Sequence, residues 1–266
     1  MQEELKALLQ ETGADRFFRL QYEECVDSTN EVIKRAAAKG EPEGFLSVAE
    51  EQTAGKGRSG RTWISPKAGA VYFSFLLRPE QPPQNAASLT LAAGLSVAQA
   101  VREQTGLDAM IKWPNDIVIG HRKICGILTE AGAHAGKIDY LAVGIGINVN
   151  NEAFDPSIAE KATSLFIENK GTEVSAAAVV AGSLVHFQKN YEIFRQSGDL
   201  SGLMEAYNAL LVSRDREVRI EDPAGAYEAV SRRIDANGRL LVERRDGTKS
   251  WIDAGEVSVR GLLGYI

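Results

Sequence analysis

Cysteine is nearly missing from this 266-residue chain: only Cys25 and Cys125 occur, a hundred positions apart. Two such distant thiols cannot build a disulfide framework or a cysteine-rich zinc site, and they read as two buried thiols. Histidine is scarce too, and His121, His134 and His186 show no ligand spacing, so no metal held by protein side chains alone is expected. No apolar run approaches the roughly 18 residues of a membrane helix. The start, MQEELKALLQETGADRFF, has neither a basic lead nor an apolar stretch after it, so a cytoplasmic protein without a secretory leader is expected. An excess of positive charge is also absent. The formal net charge of −6 argues against general nucleic-acid affinity, which rests on many phosphate contacts, although a local basic cluster can still attract one anionic ligand.

What is present is an ordinary globular composition, 44% hydrophobic and 25% charged, long enough for a substantial core in one or two domains. One loop stands out. GKGRSGRT, residues 55–62, spells G-x-G-x-x-G through Gly55, Gly57 and Gly60, and departs from a P-loop only in having Arg61 at the lysine position. Both patterns work by placing phosphate at the start of a helix that opens directly after the glycines. Here Pro66 and Gly69 follow, then the strand-like VYFSFLL at 71–77, so no helix is expected and both readings fail. What remains is a glycine-rich segment carrying Lys56, Arg58 and Arg61 with no acid among them, either a solvated basic turn or a mobile ligand-covering loop.

Periodicity predicts helices at 2–11, 28–39, 86–105, 156–168, 175–196 and 199–211, and strands at 18–26, 44–51, 71–77, 108–113, 116–119, 123–131 and 138–147. The clustered middle strands suggest an antiparallel or mixed sheet. From about 213 the chain changes to short alternating strands separated by Asp222-Pro223, Asn237-Gly238 and Asp246-Gly247, a small barrel pattern. The expected division is therefore 1–212 and 213–266.

Four further stretches bear on chemistry. Asp27-Ser28-Thr29-Asn30-Glu31 has the Ser-x-x-Glu spacing of a capping box, and a helix start with two hydroxyls and an amide also offers donors and acceptors to a small polar ring. In Lys112-Trp113-Pro114-Asn115-Asp116 the proline breaks the strand where Lys112 leaves it, so the lysine is held before a rigid turn, or is simply the exposed lysine of a hairpin. Arg122-Lys123-Ile-Cys-Gly126 and Val143-Gly-Ile-Gly146-Ile-Asn148 place glycines in strands, where they permit close approach of another group or accommodate buried sheet packing.

In this order and spacing, the five stretches resemble biotin protein ligases, over the chain from about Tyr22 to the closing WIDAGEVSVR. The resemblance implies an α+β fold, a mixed sheet with helices related to class II aminoacyl-tRNA synthetases and lipoate ligases, followed by a small C-terminal SH3-like β-barrel. It implies an enzyme that uses ATP and magnesium to convert biotin into biotinyl-5′-AMP and then transfers biotin to a lysine of a biotin carboxyl carrier protein. A lipoate ligase or related acyl transferase of the same fold is the alternative. Ser28, Thr29, Asn30 and Gln52 match residues that hold biotin's ureido ring, and Lys56, Gly57 and Arg58 match the loop that closes over biotin and its adenylate, which makes Arg58 a nucleotide neighbour too. Arg61, Trp63, Asn115 and Asn148 match nucleotide neighbours, while Lys112 matches the lysine at the reacting carboxylate and α-phosphate; Lys112 and Arg58 are thus the catalytic candidates. Lys56 and Ser59 depart from the family's G-R-G-R-R-G-R, so a bidentate guanidinium is missing at both. Only 26 residues precede Asp27, too few for the winged helix-turn-helix of a biotin-sensing repressor, so neither DNA nor membrane is an expected partner. A homodimer is left open.

Overall fold

The computed structural model describes residues 1–67, 69–82, 85, 88–134, 137–222, 225–254 and 258–261. Twelve strands are distinguished among them, in two sheets. The first sheet has the order β1-β2-β3-β7-β6-β5-β4 and is built from β1 (Arg19–Val26), β2 (Phe45–Gln52), β3 (Ala70–Leu77), β4 (Ala109–Lys112), β5 (Asp116–Ile119), β6 (Arg122–His134) and β7 (Lys137–Asn148). β1 and β2 are parallel, as the intervening helix α2 (Thr29–Ala38) requires, and the other pairs are antiparallel.

Side-chain alternation sorts β3 into two faces. Phe73 and Phe75 point to the main core, where Phe75 meets Phe18 and Phe187 with ring centroids 5.6 and 4.5 Å away. That side is covered by α1 (Gln2–Thr12), α3 (Leu89–Thr105) and α5 (Ala176–Ser197). α3 is alanine-rich and buried over most of its length, which lets α5 pack closely on it. Leu76 points the other way and joins Ala142, Ile33 and Ala37 in a small cluster that seats α2 on the opposite face. The cleft described below lies on this thinly covered face.

The remaining strands form a five-stranded antiparallel sheet of order β11-β10-β9-β8-β12: β8 (Arg216–Asp222), β9 (Gly225–Ile234), β10 (Leu240–Glu243), β11 (Lys249–Ile252) and β12 (Ser258–Gly261). Its apolar residues Val218, Ile220, Ile234 and Val242 are continuous with the main core. Polar contacts tie it down as well: Trp113 Nε1 donates to Gly238 O at 3.0 Å, and Leu200 N donates to Ala236 O at 2.8 Å. Asn208, on α6 (Met204–Leu210), accepts from Ile234 N at 2.8 Å.

Several expectations change. The helix expected at 156–168 reduces to α4 (Leu165–Glu168), because the preceding chain runs along β6, with Lys123 N donating to Lys161 O and Thr163 N donating to Lys123 O. The helix expected at 199–211 begins only at Met204. Cys25 is exposed, and Cys125 alone is buried. Residues 86–87 of the third expected helix, Pro223 of an expected turn and 255–257 of the closing WIDAGEVSVR stretch lie outside the described residues.

Candidate functional site

The cleft begins with a sheet face from which side chains have been removed. In register, Tyr72 lies beside Gly146 and Gly126, and Ser74 beside Gly144 and Leu128, so β3, β7 and β6 present two adjoining rows on the α2 side. The glycines let other groups lie on the sheet. A Cβ at Gly144 would fall 2.1 Å from Asn30 Oδ1, and one at Gly146 or Gly126 would fall 2.8 Å from the Trp63 indole.

Over this floor stands the start of α2. Ser28 is its N-cap, yet makes no capping hydrogen bond through its side chain, so the expected capping box does not form. The reason lies in Glu31, whose carboxylate is drawn to Lys56 Nζ at 2.5 Å and Lys34 Nζ at 2.9 Å, while Asp27 Oδ1 accepts the Ser28 N–H instead. The two lysines, Lys56 first, hold Glu31's carboxyl below its usual range. Thr29 is fixed by Gln52, whose Oε1 accepts the Thr29 backbone N–H at 2.9 Å and whose Nε2 donates to Ser65 Oγ at 3.0 Å. Ser74 Oγ lies 2.7 Å from both Thr29 Oγ1 and Asn30 Oδ1. With one hydrogen to give, and facing an amide oxygen that only accepts, Ser74 donates to Asn30, while the Thr29 hydroxyl hydrogen is shared between Ser74 Oγ and Gln52 Oε1, the latter 3.2 Å away. Thr29 Oγ1 therefore offers lone pairs to a ligand.

The glycine-rich loop forms the outer wall. Lys56 and Thr62 bridge, Gly57 N donates to Arg61 O at 2.7 Å, and a short 3-10 turn (Arg58–Gly60) ends at Gly60 with φ 73°, which glycine adopts at no steric cost. Arg58 reaches inward: Nη1 donates to Asn115 Oδ1 at 2.8 Å, and Nη2 donates to the carbonyl of Ala254 beyond β11. Burial lowers its guanidinium from the usual value, with nearby Asp116 opposing and Arg61 adding to the shift. Asn115 is itself pinned to β6 by Nδ2 donating to Ile127 O at 2.9 Å.

Ser28, Thr29, Asn30, Gln52, Lys56, Gly57, Arg58, Trp63 and Asn115 thus border one open cleft. Lys123, Gly126, Leu128, Gly144 and Gly146 complete it. A second, more apolar cavity adjoins, bordered by Trp63, Tyr72, Asn148, Phe154, Ile158 and Lys123. Trp63 and Lys123 belong to both. Lys123 Nζ sits 4.9 Å from the Trp63 ring centroid and 2.6 Å from Asp116 Oδ1, and buried Trp63 Nε1 has no hydrogen-bond partner among the described residues.

Lys112 ends the sheet row that runs through Asp116, Gly126 and Gly146, on the cleft side, and is partly buried near Asp116 and Lys123; burial, opposed by Asp116, lowers its ammonium to about 8. Arg61 is exposed, and its carbonyl, not its charge, engages the loop. Asn148 lies at the second cavity with Nδ2 donating to Thr163 O at 3.0 Å. Lys123 was missed as a site residue because strict alternation from Gly126, Leu128 and Glu130 puts it on the other face. The β5–β6 ladder slips, with Ile117 facing Cys125 and Val118 facing Lys123, so the extra Ile124 returns Lys123 to the cleft side.

Residues 22–148 match the Biotin/lipoate A/B protein ligase family, and residues 215–260 match the Biotin protein ligase C terminal domain. The bifunctional ligase/repressor BirA of Bacillus spizizenii is 36% identical over 232 residues, covering 86% of this chain and 70% of that protein. The biotin--[acetyl-CoA-carboxylase] ligase of Mycobacterium tuberculosis is 31% identical over 238 residues, covering 86% and 85%. A biotin protein ligase from Aquifex aeolicus, solved in complex with biotin and ATP, superposes with TM-score 0.80 at 32% identity, covering 91% of this chain and 99% of that one.

Proposed function

The chain belongs to the biotin protein ligase family, and from that premise we propose that the glycine-floored cleft holds biotin while the adjoining cavity holds ATP. The protein is an ATP-dependent ligase that activates biotin as biotinyl-5′-AMP and transfers it to a lysine of a biotin carboxyl carrier protein. Its fold is the α+β arrangement of biotin ligases with an SH3-like C-terminal sheet. The observation that supports the site assignment best is the sharing of Trp63 and Lys123 by the two cavities, since the reaction must join a carboxylate from one compartment to a phosphate in the other.

In the first half-reaction a biotin carboxylate oxygen attacks the α-phosphorus and pyrophosphate leaves. In the second, the carrier lysine amine attacks the activated carbonyl, forming the amide and releasing AMP. The substrate supplies its own nucleophile, so the protein's task is to place two anions together. At the inner end, Thr29 Oγ1 accepts a ureido N–H, the Ser28 hydroxyl faces the ring, and Gln52 fixes Thr29 at the α2 start. At the reacting end stand Lys112, on the cleft-side row through Asp116 and Gly126, and Lys123, which borders both compartments. Arg58 adds a third cation, Trp63 stacks on adenine, and Asn148 lies beside the nucleotide. Magnesium enters with ATP and supplies phosphate charge neutralisation; the chain's own cations here are Lys112, Lys123 and Arg58.

The two domains, 1–212 and 213–266, are part of this proposal, with Arg58 to Ala254 O as a contact from the loop to the second. Among the described residues no helix is long and apolar enough to cross a membrane, and we place the protein in the cytoplasm with no DNA partner. Biotin-dependent exchange of label between pyrophosphate and ATP tests the assignment, with lipoate and octanoate as competing acids. Exchange with biotin alone is expected; exchange with lipoate but not biotin would transfer the protein to the lipoate branch.

A further inference from the structure

Asn30 lies on the cleft floor with both of its N–H groups already used inside the protein. Nδ2 donates to Leu128 O at 3.2 Å and to Glu130 Oε2 at 2.8 Å, while Oδ1 receives Ser74 at 2.7 Å. Its side chain is therefore set by the protein, and Glu130 makes the charged one of those contacts. The other oxygen, Glu130 Oε1, accepts from Lys34 Nζ at 2.6 Å. Lys34 then donates to Glu31 Oε1 at 2.9 Å, and the same oxygen receives Lys56 Nζ at 2.5 Å. One unbroken line of polar contacts thus runs from Thr29 and Ser74 on the floor to the first lysine of the glycine-rich loop.

We propose that Glu130 is a positioning residue for this site: one carboxylate oxygen fixes the Asn30 amide on the bare sheet, and the other, through Lys34 and Glu31, holds Lys56 at the base of the loop. The inference rests on the reading of the cleft as the biotin site. Glu130 follows Leu128 on β6, one alternation further from the cleft, so it acts on the ligand through its neighbours and not by contact. It also gives Lys56 a reason. Two compact ammonium groups, those of Lys56 and Lys34, meet on a single oxygen, Glu31 Oε1, a contact that needs no bidentate fork.

The test uses the full chain, with biotin-dependent pyrophosphate exchange and trypsin cleavage after Lys56, Arg58 or Arg61 as readouts. Exchange by the unaltered protein checks the biotin reading itself; its absence would remove that reading whatever the variants do. Glu130→Ala is expected to raise KM for biotin about tenfold or more, with kcat at saturating biotin within about threefold, because an amide that placed the ligand has lost its charged partner. Glu130→Gln keeps an oxygen for Asn30 and gives up the ion pair, so KM should return to within about threefold of the original. Loop cleavage in biotin plus ATP should nonetheless be several-fold faster in Glu130→Gln and in Glu31→Gln. KM for biotin unchanged in Glu130→Ala, or no rescue by Glu130→Gln, or unchanged loop cleavage in both glutamine variants, overturns the proposal. Should Glu130→Ala fail to fold, the two glutamine variants decide it through cleavage and KM.

Discussion

Replacing each of two lysines by methionine, which keeps the aliphatic stem and removes the charge, tests the geometry of the reacting end. Lys123 Nζ lies 2.6 Å from Asp116 and above the Trp63 ring at the junction of the two cavities, with its side chain only 22% exposed. Unit charges about 4 Å apart at an effective dielectric near 20 interact by about 4 kcal/mol, and loss of one well-aimed donor to a developing charge typically costs about 3–4 kcal/mol. At 1.36 kcal/mol per tenfold, Lys123→Met should slow biotin adenylation roughly 10²- to 10³-fold. Lys112→Met, on the same sheet row as Gly126 and beside the Asp116 that Lys123 also meets, should slow it by a comparable factor. Pyrophosphate exchange at saturating biotin and ATP measures both, and thermal denaturation of each variant excludes unfolding as the cause. A Lys123→Met rate near normal would refute the placement of the reacting atoms at the cavity junction.

Gly144→Ala puts a methyl 2.1 Å from the Asn30 amide oxygen, and overpacking of this kind costs about 1–3 kcal/mol; a lower melting temperature and a higher KM for biotin are expected, and an unchanged KM would show that Asn30 can move without consequence. Trp63→Ala removes the proposed base platform, worth roughly 1–3 kcal/mol, so KM for ATP should rise about tenfold while KM for biotin moves less, in steady-state kinetics. Lys112 carries a folded-state value of about 8 against 10.5, lowered by burial. Below pH 8 it is charged in both folded and unfolded chains and the burial cost stands in full. Between pH 8 and 10.5 the folded chain releases the proton first, so this contribution to stability rises with pH, by at most about 3 kcal/mol. Denaturant titrations should show Lys112→Met flattening that rise; an unchanged slope would mean the ammonium is well solvated.

The parts of the fold legible in the sequence were those set by local pattern. The Ser28 helix start, the VYFSFLL strand and the KWPND hairpin each carry their own punctuation, and they stand within a residue or two of their expected positions. What could not be read depended on distant partners. Residues 156–163 have the composition of a helix, but two hydrogen bonds to Lys123 hold part of the segment extended, and Ser164 caps the helix only where Ile167 N can reach its hydroxyl. Ser28 and Glu31 have capping-box spacing, yet Glu31's charge is claimed by Lys34 and Lys56, one of them 25 positions away. Lys123 alternates to the core face on paper until a one-residue slip at Ile124 turns it to the cleft, the side on which Lys112 already stands.

The two compartments share the side chains of Trp63 and Lys123 where they adjoin. Side chains swing aside without unfolding anything, so one molecule can occupy both rooms at once. A bisubstrate compound, with a biotin-like half tethered to a nucleoside half by a linker that passes beside Trp63, would present its second half at a local concentration near the millimolar range once the first is seated. Its affinity should exceed that of either half by orders of magnitude, and it should collapse when the tether is too short to pass that doorway.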